Sequence, residues 1–382
     1  MNLAKSNVVL LVAAVVLAIP TWLQLRREAE VFTDLGRVPL LFDGLTTDNV
    51  TNVLLAKPKA EQPPPDPSKP DQKPPVAYDQ LLLQKSDKGF VFGAPSGERA
   101  GVPALKERVE RDVFGHLRAI RAEREVMVQT NATPQQLADF GLDEEHAFLV
   151  RLSDATNRVV ADLLVGKDAG QGQSGTEAVR GVFVRKSDSN DVILYEPEQG
   201  NWRRDIDENG WIDRTLARIE PDKVRRIALR NAATAGTVFT FAREPGKSEW
   251  LAVEPPPGLG AVRQGEVETL VQRCRYLSVQ DFRGPLQRAG NLAPIGLQPP
   301  AIEVELVLQQ EDGEKLLKLA VGNKLDDKNE YYLTCSESPF LLTWPASTVT
   351  AFEVDVKAQW FDPVGPPVPT PTDGNGAQQP PK

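Results

Sequence analysis

Residues 141–152, GLDEEHAFLVRL, and residues 296–308, GLQPPAIEVELVL, decide the fold, because the second stretch repeats the first. Each opens on Gly-Leu (Gly141-Leu142, Gly296-Leu297). Each then runs into alternating side chains, Phe148-Leu149-Val150-Arg151-Leu152 in one and Ile302 to Leu308 in the other. Alternation with a period of two is the pattern of a strand with one face buried. Downstream the echo continues. Leu163-Leu164-Val165-Gly166-Lys167 returns as Leu319-Ala320-Val321-Gly322-Asn323, and Val182-Phe183-Val184 as Tyr331-Tyr332-Leu333. Val192 to Tyr195 returns as Leu341 to Trp344, and Trp211-Ile212-Asp213 as Trp360-Phe361-Asp362. The spacing between copies changes once, at the long Gly/Gln/Ser-rich loop Asp168 to Gly181, and is constant from Tyr195/Trp344 onward.

Upstream of each Gly-Leu pair the apolar period becomes helical. Val109, Val113, Leu117 and Ile120 form one stripe; Val267, Leu270, Val271, Cys274 and Leu277 form the other. Short strands precede each helix: Val50, Val53 and Leu54 in copy one, and Val224, Ile227, Leu229, Val238 to Phe241 and Trp250 to Val253 in copy two. Copy one is longer here by about the length of PPPDPSKPDQKPP, Pro63 to Pro75, which cannot form helix or central strand and so sits in a hairpin loop. Each copy reads as strands, helix, strands, short helix. The fold class is α+β: two tandem antiparallel-sheet-plus-helix repeats. Repeat 1 is expected over 45–218 with its Pro-rich loop at 61–75, and repeat 2 over 219–363, joined at Ile219 to Asp222. The Pro-, Gly- and Gln-rich stretch 364–382 is expected to be disordered.

The N-terminus adds a membrane element. Val8 to Ile19 is an unbroken apolar run, preceded by Lys5 and closed by Arg26 and Arg27. Leu3 to Leu25 is long enough as a helix to span a hydrocarbon core of about 30 Å. The reading is a transmembrane anchor over 1–28 that touches lipid through residues 3–25; a cleaved signal peptide is the rival. The chain is expected to be single-pass in the cytoplasmic (inner) membrane, with its bulk extracytoplasmic. A net charge of −9 repels phosphate backbones and argues against nucleic acid. Two cysteines, Cys274 and Cys335, allow at most one bridge or two buried thiols.

The hydrophobic anchor, the Gly-Leu turn before alternating strands, the Val-Gly-Lys strand end and the Trp-Ile-Asp helix resemble the bacterial domain-of-unknown-function family 4340, over most of residues 45–363. That resemblance implies association with ABC-type transport and gliding-type membrane systems. It supplies no catalytic residues.

The chemistry-bearing residue types give little. His116 and His146 have no Cys or Asp at ligand spacing. Gly-x-Ser-x-Gly, P-loop and His-Glu-x-x-His patterns are missing, and Gly170 to Gly175 reads as a flexible turn. Asp205, Asp207, Asn209 and Asp213 occupy the first, third, fifth and ninth positions of a calcium loop, but Leu216 stands where the bidentate acid belongs. Copy two offers Val354, Val356 and Ala358 in simple register. The competing reading is an acidic turn capping the Trp211 helix. Trp202-Arg203-Arg204 is a conceivable recognition patch, with Asp205 and Asp207 beside it as neutralising charges. The expectation is a non-catalytic, cofactor-free accessory or assembly module whose partner is a membrane protein such as an ABC transporter subunit. The alternative is an envelope hydrolase using carboxylates between the repeats.

Overall fold

The computed structural model describes residues 40–61, 75–122, 126–170, 181–198 and 202–364. The expected anchor at 1–28, the centre of the Pro-rich loop, most of the Gly170–Gly175 turn and the tail after 364 lie outside these residues. Among the described residues no helix is long and apolar enough to cross a membrane.

The chain divides into two compact units, Met1–Asp213 and Arg214–Lys382. The expected border at 218 is thereby corrected. Thr215–Arg218 is a strand pairing antiparallel with Tyr276–Ser278, which ties it to the second unit.

Unit 1 holds β1 (Asn52–Pro58), β2 (Tyr78–Ser86), β3 (Gly89–Phe92), β4 (Met127–Gln129), β5 (Phe148–Ser153), β6 (Val159–Ala169), β7 (Gly181–Lys186) and β8 (Val192–Tyr195). They form one antiparallel sheet in the order β3-β2-β1-β5-β6-β7-β8-β4. Unit 2 adds β9 (Thr215–Arg218), β10 (Val224–Arg230), β11 (Phe239–Ala242), β12 (Leu251–Val253), β13 (Tyr276–Ser278) and β14 (Asp281–Pro285). It continues with β15 (Ile302–Gln310), β16 (Gly313–Lys324), β17 (Glu330–Cys335) and β18 (Phe340–Pro345). Its large sheet runs β12-β11-β10-β15-β16-β17-β18-β14, strand for strand the order of unit 1. The α+β duplication is therefore a property of the fold. The Pro-rich insertion joins β1 to β2, whose pairing continues out to Pro58 opposite Tyr78 and Lys59 N–H to Ala77 O at 2.9 Å.

Alternation decides which face each strand buries. In unit 1, Val53, Leu55, Val150, Leu152, Leu163, Val165 and Val184 lie on one face of the sheet, each at most 2% exposed. Val109, Val113 and Leu117 on the helical segment 106–119 are likewise buried, as are Val267, Leu270 and Val271 on Gln264–Arg273. Each such side chain contributes about 1.5–3 kcal/mol. The opposite face of the unit 1 sheet carries a second cluster of Ala132, Leu137, Leu142 and Val192, with Phe140, Leu164 and Phe183 packed on it. Its short helix Pro134–Asp139 starts with a capping box. Gln136 N–H donates to Thr133 Oγ1, and Thr133 N–H donates to Gln136 Oε1.

The glycines that mark the repeat have one shared task. Gly141 and Gly296 sit at φ +68° and +71°, a conformation L side chains avoid. Each lets its loop fold onto a bulge in the third central strand. There Lys167 N–H donates to Phe140 O (2.9 Å) and Asn323 N–H to Ile295 O (2.7 Å). Gly166 and Gly322 lie inside those bulges, where a Cβ would come within 2.4 Å of Phe140 O and 2.3 Å of Ile295 O. Two glycines per copy thus lock turn to sheet, identically in both.

Candidate functional site

In each unit the Trp-containing short helix returns beside the start of the main helix. Leu105 N–H donates to Trp211 O (2.6 Å) and Arg263 N–H donates to Trp360 O (2.8 Å). Both tryptophans are buried. Around this shared junction the copies differ in chemistry.

In unit 1 the junction holds a buried guanidinium. Arg108, with a side chain 5% exposed, donates from Nε to Asp112 Oδ2 (3.1 Å) and from Nη2 to Asp205 Oδ2 (2.6 Å). Its guanidinium lies 4.2 Å from the Trp211 ring centroid, and the absent Cβ of Gly210 leaves room for it. Asp112, 4% exposed, also accepts from Arg111 at 2.6 Å, which raises the Arg111 pKa. Two cations and two anions balance here, as buried charge requires. The π-helical turn Glu110–Gly115 carries Arg111 and Asp112.

One turn further on, His116 Nδ1 lies 3.0 Å from Tyr195 Oη, and the His116 ring stacks on Trp202 with centroids 4.5 Å apart. Trp202 donates its indole N–H to Asp112 O (2.8 Å). Burial lowers the His116 pKa and pushes that of Tyr195 up to about 12. A cleft of about 340 Å³ opens beside them, bordered by Glu107, Arg111, His116, Tyr195 and Glu198.

Among the described residues neither arrangement recurs at the Trp360 junction of unit 2, whose buried guanidinium, Arg243, lies instead 4.7 Å from the Trp250 ring centroid. Cys274 and Cys335 are free, buried thiols whose pKa values burial pushes up to about 12 and about 11. At the Trp360 junction there is a cleft of about 730 Å³ between the helix Gln264–Arg273 and the segment 347–360. Trp344, Phe352 and Trp360 contribute its aromatic lining; Glu266, Arg273 and Glu353 contribute its charge.

The calcium-loop candidates go separate ways. Asp205 Oδ2 accepts from Arg108, and Asp207 caps the helix Glu208–Trp211 by accepting from Asn209 N–H. Asn209 Oδ1 accepts from Arg99 at 2.9 Å. Asp213 N–H donates to Pro103 O. Among the described residues no three His, Cys, Asp or Glu side chains converge as metal ligands. The Trp202-Arg203-Arg204 patch is likewise divided. Trp202 is buried, and Arg204 bridges to Asp168 at 2.7 Å and to Gly166 O. Asp205, read from sequence as a neutralising charge for that patch, serves Arg108 instead.

Sequence reasoning missed Arg108 and Asp112. The signal available was an Arg and an Asp four residues apart, interleaved with the apolar stripe of a helix.

A family model described as Domain of unknown function (DUF4340) matches residues 98–300, more than half of the chain. The chain belongs to the DUF4340 family. The matched stretch of this DUF4340 protein starts just before the unit 1 helix and crosses the unit border to the turn before β15. No curated protein and no solved structure matches.

Proposed function

We propose that this chain is a non-catalytic binding and assembly module, held at the cytoplasmic membrane by residues 1–28, with its repeats extracytoplasmic beside an ABC-type transport or other envelope complex. The observation that carries the binding reading is the duplicated junction. One sheet-and-helix frame is built twice, closed by internal charges in one copy and left as a 730 Å³ cleft in the other. A frame kept constant while its cleft lining changes is what a recognition scaffold needs. The membrane part rests on the apolar run Val8 to Ile19 and its basic flanks.

The hydrolase alternative gains nothing from the buried carboxylates of unit 1. Asp112 and Asp205 both accept from Arg108, an ion-pair arrangement that itself accounts for their placement. Crosslinking in membranes, detergent solubilisation and affinity capture of the full chain test the proposal. Transporter or envelope-complex subunits are expected in the captured material. Capture of the chain alone overturns it, and a chain lacking residues 1–28 that stays in the membrane fraction overturns the anchor.

A further inference from the structure

The two large sheets end differently on the same side. Carrying the strand register outward from the repeated β6 and β16 sets Val53 against Ile227, Leu83 against Phe241, and Phe92 of β3 against Ala252 of β12. In unit 1 the outward backbone groups of β3 are taken by the chain's own next segment. Phe92 N–H donates to Val102 O (2.9 Å), Gly101 N–H to Phe92 O (2.8 Å) and Ala104 N–H to Phe90 O (2.8 Å). Residues 101–104 thus close that edge as an added strand would.

In unit 2 the same edge is only half closed. Gln264 caps Trp250 with its side-chain amide, accepting from Trp250 N–H (2.6 Å) and donating to Trp250 O (2.9 Å). Strand alternation points the N–H and C=O of Ala252, two residues on, the same way, while Leu251 and Val253 face Ala242 and Thr240 of β11. Among the described residues neither backbone group of Ala252 has a hydrogen bond. Counted back from the amides that bind Trp211 O and Trp360 O, the match for 101–104 is 259–262. That segment is engaged elsewhere: Ala261 O accepts from Asp362 N–H and Val262 O from Gln264 Nε2. On either side of Ala252, Leu251 and Val253 are 52% and 45% exposed, and Val238, one residue before β11, is exposed as well. Glu249 and Glu254 flank this strand, both exposed and, among the described residues, without an ion pair.

We propose that the free edge of β12 takes an extended segment of a partner protein as an added strand, seated as residues 101–104 are seated on β3. The open N–H and C=O of Ala252 call for a peptide backbone. The exposed Leu251 and Val253 call for apolar side chains at alternate positions of that segment. The acidic flanks Glu249 and Glu254 call for a basic residue at each of its ends, and they repel a second copy of β12, which would set glutamate against glutamate. This proposal rests on the binding-module reading and deepens it by naming what the partner presents.

The test is fluorescence anisotropy of two fluorescein-labelled peptides, Lys-Val-Thr-Val-Thr-Lys and Glu-Val-Thr-Val-Thr-Glu, titrated with the purified full chain in detergent. The lysine peptide is expected to bind at least tenfold more tightly. Glu249→Lys/Glu254→Lys should reverse that order; both positions are exposed, so this variant keeps the fold. Ala252→Pro, which removes the outward N–H at an edge position where proline is tolerated, should weaken the lysine peptide about tenfold. If Ala252→Pro does not fold, the charge reversal alone decides. Equal affinity for the two peptides, an order unchanged by the charge reversal, or full binding by a folded Ala252→Pro chain overturns the proposal. Dimerisation of the parent chain that Ala252→Pro abolishes would give the edge to a second copy and overturns it too. The titration contains no membrane partner, so its failure is separable from failure of the capture experiment.

Discussion

Replacing Arg108 by Met removes the cation from a cluster whose anions remain. Asp112, 4% exposed, loses the Nε donor at 3.1 Å and keeps Arg111, whose side chain is half in solvent. Asp205 loses its 2.6 Å donor but is 43% exposed, so water restores most of its solvation. Breaking a fully buried pair costs about 3–5 kcal/mol. With Arg111 still on Asp112 and Asp205 wetted, the cost belongs at the lower end, about 3 kcal/mol. In a unit of this size that lowers Tm by roughly 6–12 °C. The double variant Arg108→Met/Asp112→Leu removes both charges of the buried pair and should recover at least half of the loss. Urea unfolding with a double-mutant cycle measures the terms. A single-variant cost below about 1 kcal/mol, or a double variant no more stable than Arg108→Met, would refute the account of Arg108 as the balancing charge of a buried site.

Other outcomes follow from the same geometry. Gly166→Ala and Gly322→Ala should each destabilise by about 1–3 kcal/mol, since the new Cβ meets a carbonyl oxygen in both copies; thermal unfolding checks this, and a neutral effect at either site would break the equivalence of the two locks. His116 has its folded pKa lowered by burial, so its contribution is complete above the unfolded value of about 6.5 and is lost as pH falls below that value. Urea midpoints from pH 7.5 to 5 should therefore drop more steeply in the parent than in His116→Gln, and parallel slopes would count against a buried neutral imidazole. Cys274 and Cys335, with thiol pKa values pushed up to about 12 and about 11, should resist iodoacetamide at pH 8 in the folded chain and react fully in urea.

The repeat was legible in sequence because its markers answer to steric demands that few residues meet. Gly141 and Gly296 need positive φ, and Gly166 and Gly322 need a missing Cβ, so these positions stand out where surrounding side chains have drifted. The alternating runs of β5 and β15 and the stripe Val109, Val113, Leu117 were readable for the same reason: one face of each is buried. The edge strands β4 and β14 were not, since each is short and draws its structure from pairing with β8 or β18. Thr215–Arg218 was assigned to the wrong unit because its partner lies beyond the next helix, at Tyr276–Ser278. The Arg108 junction escaped because its members come from two distant segments, 108–112 and 205–211, and a sequence does not show which of its charges meet.

The β1–β2 hairpin has a practical corollary. Its stem stays zipped to Lys59 and Ala77, so the chain leaves and re-enters the sheet one strand spacing apart, while the sister connection closes over residues 231–238 alone. Closure entropy grows only logarithmically, about 0.6 kcal/mol per doubling of length, so this doorway tolerates cargo of almost any size. A fluorescent domain seated between residues 62 and 74 would report where the molecule resides in a living cell while leaving both chain ends, both sheets and the Trp junctions untouched.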